Sequence, residues 1–223
     1  MIIKADNIKK EFFRTTNNTN VFTAVENTDI MLEEGQIIIL HGRSGSGKST
    51  LINMLSGILK PSNGRVLYDE TDIYALDNNK LSAFRNANIG YIPQGKSAIA
   101  SMTLKENITL PGILYNKDVD SLCQEYMEIL NISKISDCLP SELSGGELKR
   151  MAIARALIMS PKVLFADEPT GDLDDENTKT VMELFDSLAK KGMIIFMVTH
   201  ENDIDSFADT VYRMNAGILT KEI

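Results

Sequence analysis

The chain has 223 residues, 43% of them hydrophobic, with a formal net charge of −8; that length and apolar content bury one large core, with or without a sub-lobe, and exclude a disordered chain. The acidic balance argues against a protein that wraps nucleic acid, so no nucleic-acid partner is expected. Its two cysteines, Cys123 and Cys138, fit neither a zinc knuckle nor a redox pair and are read as free thiols, and no apolar run approaches the roughly 20 residues of a membrane span.

Taken in chain order, "MIIKADNIKKEF" and "VFTAVENTDIMLEEGQIIIL" read as an antiparallel β start, with Asn17 to Asn20 as a polar loop and Glu34-Gly35 as a turn. The run "LINMLSGIL" has helical spacing and is expected to stop at Lys60-Pro61, after which Asn63-Gly64 turns into the strand "RVLY". A further strand, "IGYIPQ", precedes a helix-forming stretch over 95–143 in which Val119, Leu122, Tyr126, Ile129 and Leu130 share one helical face. Then come a helix over 146–159, the buried strand "KVLFAD", a helix over 175–191, the buried strand "MIIFMV" and a last short strand near "TVYRM". Uninterrupted apolar strands alternating with helices predict an α/β fold with a mainly parallel sheet covered on both faces.

Between the first buried strand and the first helix stands "LHGRSGSGKST". Gly42, Gly47, Lys48 and Ser49 satisfy the spacing of a phosphate-binding P-loop, in the strand-to-helix context that the motif needs. Across Gly42, Arg43, Ser44, Gly45, Ser46, Gly47, Lys48, Ser49 and Thr50 the glycines free backbone N–H groups to face a phosphate. The helix N-terminus adds partial positive charge, Lys48 neutralises the β and γ oxygens, and Ser49 offers a hydroxyl to Mg²⁺. A nucleoside triphosphate is the expected ligand. In "KVLFADEPTGDLD" four apolar residues carry Asp167 to the end of a buried strand, where it can hold Mg²⁺. Glu168, next to it and pointing elsewhere, can take a proton from water.

The segment "LSGGELKRMAIARAL" at 143–157, just before the acidic strand, resembles the signature of the ABC (ATP-binding cassette) ATPases. With the other two motifs in this order, the resemblance covers essentially the whole chain. It implies a P-loop NTPase cassette with a core of 1–94 and 144–223, an N-terminal antiparallel β part and a helical subdomain of 95–143. It also implies a head-to-tail homodimer, in which the P-loop of one subunit and Ser144, Gly145, Gly146 and Glu147 of the other enclose each ATP. By the same resemblance Gln94 is the glutamine that reaches Mg²⁺ and the attacking water, His200 contacts the γ-phosphate, and 171–174 form the loop that crosses the dimer. Phe12 stacks on adenine, with Phe13 the competing candidate. Mg²⁺ then falls to Ser49, Gln94 and Asp167.

Two residues depart from the family pattern. Glu147 stands where glutamine is commonest and adds negative charge near the neighbour's nucleotide, weakening ATP-driven closure, while Pro93 stiffens the segment before Gln94. The pattern "TLKEN", the polar loop near 14–21 and the short C-terminus are similar to those of lipoprotein-release and macrolide-efflux exporters. The expected function is therefore the ATPase subunit of a transporter that drives a separate integral membrane permease from the cytoplasmic face, moving lipoproteins, peptides or hydrophobic drugs. The alternatives are non-transport cassettes of the cell-division signalling, DNA-repair or translation type. The about 48 residues between Gln94 and Leu143 are too few for the coiled coil of a repair ATPase, and one cassette is too few for a translation factor.

Overall fold

A computed structural model describes residues 1–13, 21–95, 97–201 and 203–222, so the polar loop expected at 17–20 lies outside the described residues. In chain order the elements are β1 (Ile2–Phe13), β2 (Val21–Glu33), β3 (Ile37–Gly42), α1 (Lys48–Leu55), β4 (Asn63–Tyr68) and β5 (Thr71–Asp72). They continue with α2 (Asn78–Asn88), β6 (Ile89–Ile92), α3 (Leu104–Leu114), α4 (Asp120–Ile129) and α5 (Gly145–Leu157). The last five are β7 (Val163–Asp167), α6 (Asp175–Lys190), β8 (Ile194–Val198), β9 (Thr210–Asn215) and β10 (Ile218–Lys221).

Two sheets form. The first has the order β2-β1-β4-β5 and is antiparallel; the second has the order β10-β9-β3-β8-β7-β6, parallel except for the β10 edge. The turn at Glu34-Gly35 thus passes the chain from one sheet to the other. Because side chains alternate across a strand, β3 feeds two cores. Ile37 and Ile39 pack with α5, α6 and the helices of 104–130, while Ile38 and Leu40 pack with α1 and the antiparallel sheet. The wholly buried strands β7 and β8 do likewise, and Phe165 meets Phe196 with ring centroids 6.0 Å apart on the α1 side. No described helix is long and apolar enough to cross a membrane.

Several boundaries differ from the sequence reading for identifiable reasons. The helix expected to reach Lys60 ends at Leu55, because Gly57 takes φ +71 and the amides of Ile58 and Leu59 turn back to the Asn53 carbonyl. Asn63 and Gly64, expected as a turn, are the first residues of β4, where Asn63 pairs with Lys9 of β1. The strand "IGYIPQ" stops at Ile92, since Pro93 has no N–H for the ladder. On α4, Val119, Tyr126 and Leu130 are buried as expected, joined by Cys123 and Met127, whereas Ile129 is 37% exposed. One residue of the assumed face is therefore on the wrong side of the helix.

Candidate functional site

Parallel pairing lines up the strand ends. Leu40 of β3 and Asp167 of β7 both pair with Val198 of β8. The loop after β3, the acidic end of β7 and the segment after β8 therefore open at one edge of the sheet, the place where open α/β sheets take ligands. Between them lies a cavity of about 770 Å³ lined by Gly42 to Gly45, Gly47 to Thr50, Gln94, Asp167, Glu168 and His200. Phe12 stands at its rim, and Gly145, Leu148 and Lys149 also reach it.

The loop over 42–50 is held from both sheets. A Cβ on Gly47, which sits at φ +108, would fall 2.2 Å from the Ala24 carbonyl oxygen of β2, so only glycine fits there. The Gly217 amide, in the turn between β9 and β10, donates to the Ser46 carbonyl, and the Gly217 carbonyl accepts from Glu26 N, both at 2.9 Å. α1 then starts at Gly47 with no side-chain cap and no acid in its first turn, so its first N–H groups are left for an anion. Lys48 is buried, and its Nζ donates to the carbonyls of Gly42 (2.6 Å) and Arg43 (3.0 Å). Ser46, expected among the ligand-facing residues, turns inward: it is buried, and its Oγ has no hydrogen-bond partner among the described residues.

Opposite this loop Asp167 is 3% exposed. Burial raises its pKa, while the hydrogen bond from Ser49 and the charges of Lys48 and Lys149 oppose that rise. Glu168 follows in the left-handed region, at φ +55, which costs a residue with a Cβ about 1–2 kcal/mol. It is tied at both backbone groups, and its carboxylate stands at ion-pair distance from His200. Its N–H donates to the Val198 carbonyl (2.8 Å), its carbonyl accepts from Lys149 Nζ (2.7 Å), and its Oε2 lies 2.7 Å from His200 Nδ1. Hydrogen bonding to that carboxylate, and then its charge, raises the His200 pKa above 6.5. The His200 segment is braced in turn by Thr170 Oγ1, which donates to Glu201 Oε2 at 2.6 Å.

Gln94 is exposed at the cavity edge, and the chain after it is pinned by Asn107, the last residue of "TLKEN". This wholly buried amide accepts from Ile99 N and donates to the carbonyls of Ile99, Met102 and Thr103. Arg155 of α5 adds a bond to Ser97 Oγ (2.6 Å).

The signature residues face elsewhere. Ser144, Gly145 and Gly146 line a second concavity of about 510 Å³ with Asp172, Leu173 and Asp174; Gly145 and Asp172 line both. Ser144 caps α5 through a reciprocal pair in which Glu147 N donates to Ser144 Oγ (3.3 Å) and Ser144 N donates to Glu147 Oε2 (2.7 Å). The Ser144 hydroxyl donates to the same carboxylate at 2.7 Å, and these bonds hold Glu147 below its ordinary pKa.

Of the two candidate aromatics, Phe12 lines the cavity and Phe13, 80% exposed, does not. Among the cavity residues that the sequence reading missed are Phe22 and Lys149. Phe22 pairs across the strands with Phe12, which the antiparallel register alone could have signalled. Lys149 is 8% exposed and stood inside the quoted signature, with nothing in the sequence marking it as buried.

The chain matches the family model described as ABC transporter over residues 25–171. It is 35% identical to the lipoprotein-releasing system ATP-binding protein LolD of Syntrophotalea carbinolica, an alignment covering 98% of this chain and 97% of that protein. It is also 35% identical to the macrolide export ATP-binding/permease protein MacB of Campylobacter fetus, covering 97% of this chain and 34% of that longer protein. Among solved structures, the dimeric post-hydrolysis state of the ATP-binding cassette MJ0796, bound to ADP and Pi, superposes with a TM-score of 0.91 at 29% identity over 98% of both chains. With the motif order and the geometry above, these matches establish that the chain belongs to the ABC transporter family, as one of its ATP-binding and ATP-hydrolysing cassettes.

Proposed function

We propose that the chain works as a head-to-tail homodimer on the cytoplasmic face of a membrane, where it drives a separate integral permease that exports or extracts lipoproteins, peptides or hydrophobic drugs. The observation that carries the catalytic part is one cavity in which the uncapped start of α1 and Lys48 face the paired carboxylates Asp167 and Glu168. ATP lies with its adenine on Phe12 and its phosphates along Gly42 to Thr50, the β and γ oxygens neutralised by Lys48. Glu168 takes the proton from the water that attacks the γ-phosphorus, and His200 contacts the γ-phosphate from the other side.

The buried Asp167 carboxylate, the Ser49 hydroxyl bonded to it and the Gln94 amide make an all-oxygen donor set. That set suits Mg²⁺, which keeps waters and substrate phosphates as its other ligands. When bound there, the ion would neutralise charge on the β and γ oxygens. Ser144, Gly145, Gly146 and Glu147 belong to the nucleotide of the opposite subunit, a reading supported by Ser144 and Gly146 lining a second concavity and not the P-loop cavity.

The permease docks beside a cleft lined by Ile58, Arg85, Tyr91 and Tyr115. Ile58, Tyr115 and, next to it in the chain, Ile113 and Leu114 expose apolar surface that water does not favour. The exporter assignment rests on similarity to the lipoprotein-releasing and macrolide-export proteins.

The decisive test is Glu168→Gln. ATP binding should persist while hydrolysis falls by about 10²–10⁴, the worth of a positioned base; turnover near wild type would refute the catalytic reading. The same variant, trapped with ATP, should retain an integral membrane protein from detergent-solubilised native membranes. Recovery of soluble nucleic-acid or ribosomal proteins alone would refute transport.

A further inference from the structure

Lys149 is a buried cation whose burial nothing in the reaction outlined above explains. Lysines are rarely this enclosed unless their charge is engaged. It belongs to the second turn of α5, yet its Nζ crosses to the next element and donates to the Glu168 carbonyl at 2.7 Å. The acceptor is the backbone of the residue that sits at φ +55, a conformation that a side chain with a Cβ does not hold unaided.

The two other ties on Glu168 cannot replace this one. The amide bond to Val198 fixes where the residue begins, and the His200 contact acts on the carboxylate itself through a side chain that is 71% exposed. Among the described residues, only the Lys149 bond holds the carbonyl side of Glu168. Burial lowers the Lys149 pKa, and the charges of Asp172, Glu168, Asp167 and Glu201 oppose that. Its ammonium thus stands among carboxylates that face it from the loops after β7 and β8.

Resting on the reading of Glu168 as the base, we propose that Lys149 is a positioning residue: its ammonium clamps the Glu168 carbonyl and thereby aims the carboxylate. The clamp starts on α5, the helix that opens with Ser144, Gly145 and Gly146. A movement of that helix against a partner subunit would therefore be felt at this subunit's own base.

The test is a double-mutant cycle on the full chain, read by steady-state ATP hydrolysis. Lys149→Met keeps the apolar stem and removes the donor and the charge. Its kcat should fall roughly 10–100-fold, the scale of a small misplacement of a catalytic group, with the KM for ATP within about twofold of wild type. In a Glu168→Gln background the same change should cost less than about twofold, because a residue acting through the base has nothing left to aim. A merely structural lysine would lower the residual rate and the Tm in both backgrounds.

Wild-type kcat in Lys149→Met, or an equal loss in both backgrounds, would overturn the proposal. If Lys149→Met does not fold, the same cycle on Lys149→Gln applies, with a loss of roughly fivefold or more expected and an unchanged kcat refuting. Should Glu168→Gln itself retain turnover, the base assignment falls first, which separates that failure from this one.

Discussion

Two helices of this chain open in glycine-rich turns, and their N-termini have opposite fates. α1 begins at Gly47 without a side-chain cap and without an acid in its first turn. α5 begins at Ser144 with a complete capping box, in which the Glu147 amide donates to Ser144 Oγ and the Ser144 amide to the Glu147 carboxylate. An uncapped helix start is expensive unless something else accepts from it, so α1 is built to be completed by a phosphate of its own subunit's nucleotide. α5 already carries a carboxylate at its start, and an anion arriving from another subunit meets that charge. One site is left open and the other is guarded, although both come from the same pairing of a glycine turn with a helix.

The contrast can be broken at four points, in descending order of effect. Lys48→Ala strips the open site of its cation. Charge-assisted bonds are worth about 1.5–3 kcal/mol, so the ATP Kd should rise roughly 10–100-fold by titration calorimetry, and unchanged affinity would mean that α1 does not hold the phosphates. Ser144→Ala removes the cap of the guarded site at a cost of about 1 kcal/mol. The Tm should drop by about 2–4 °C while the monomer's ATP affinity stays within about twofold; a large loss of affinity in the monomer would place α5 in its own subunit's site.

Glu147→Gln keeps a capping side chain and deletes the guarding charge, an effect of about 0.3–1 kcal/mol at a helix N-terminus. ATP-driven dimerisation followed by light scattering in the Glu168→Gln background should tighten about two- to fivefold, and weaker dimers would show that the carboxylate helps closure.

The smallest effect concerns His200. Its pKa is raised in the fold, so its pairing with Glu168 stabilises the folded chain fully below the unfolded value of 6.5 and fades as pH rises through the folded value. Glu168→Gln removes the leading cause, and the His200 midpoint followed by NMR should move down; an unmoved midpoint would mean that the pair does not form in solution.

Most of the fold was legible because it is written in apolar periodicity: "KVLFAD" and "MIIFMV" can only be buried strands, and the glycine turn lies between a strand and a helix. What escaped has little burial to announce it. α2 contains no buried residue, and its run "NNKLSAFRNAN" shows no stripe. β10 is an edge strand with three of its four residues exposed, so its hydrogen bonds to β9 leave no mark in the pattern. The candidate site divides in the same way. The P-loop, Asp167, Glu168 and His200 could be placed because local context, a strand end or a helix start, decides where they point. Lys149 and Phe22 could not, since what places them is a long-range partner: the Glu168 carbonyl for one, the Phe12 strand for the other.

The bond from Gly217 to the Ser46 carbonyl also makes the loop depend on a distant hairpin. One carbonyl of the phosphate-binding loop finds its donor only in a turn some 170 residues later, and that turn fastens β2 through Glu26. A chain shortened before this hairpin keeps residues 42–50 but loses the brace behind them. The hold of that loop on its ligand therefore depends on a turn far from it in the sequence.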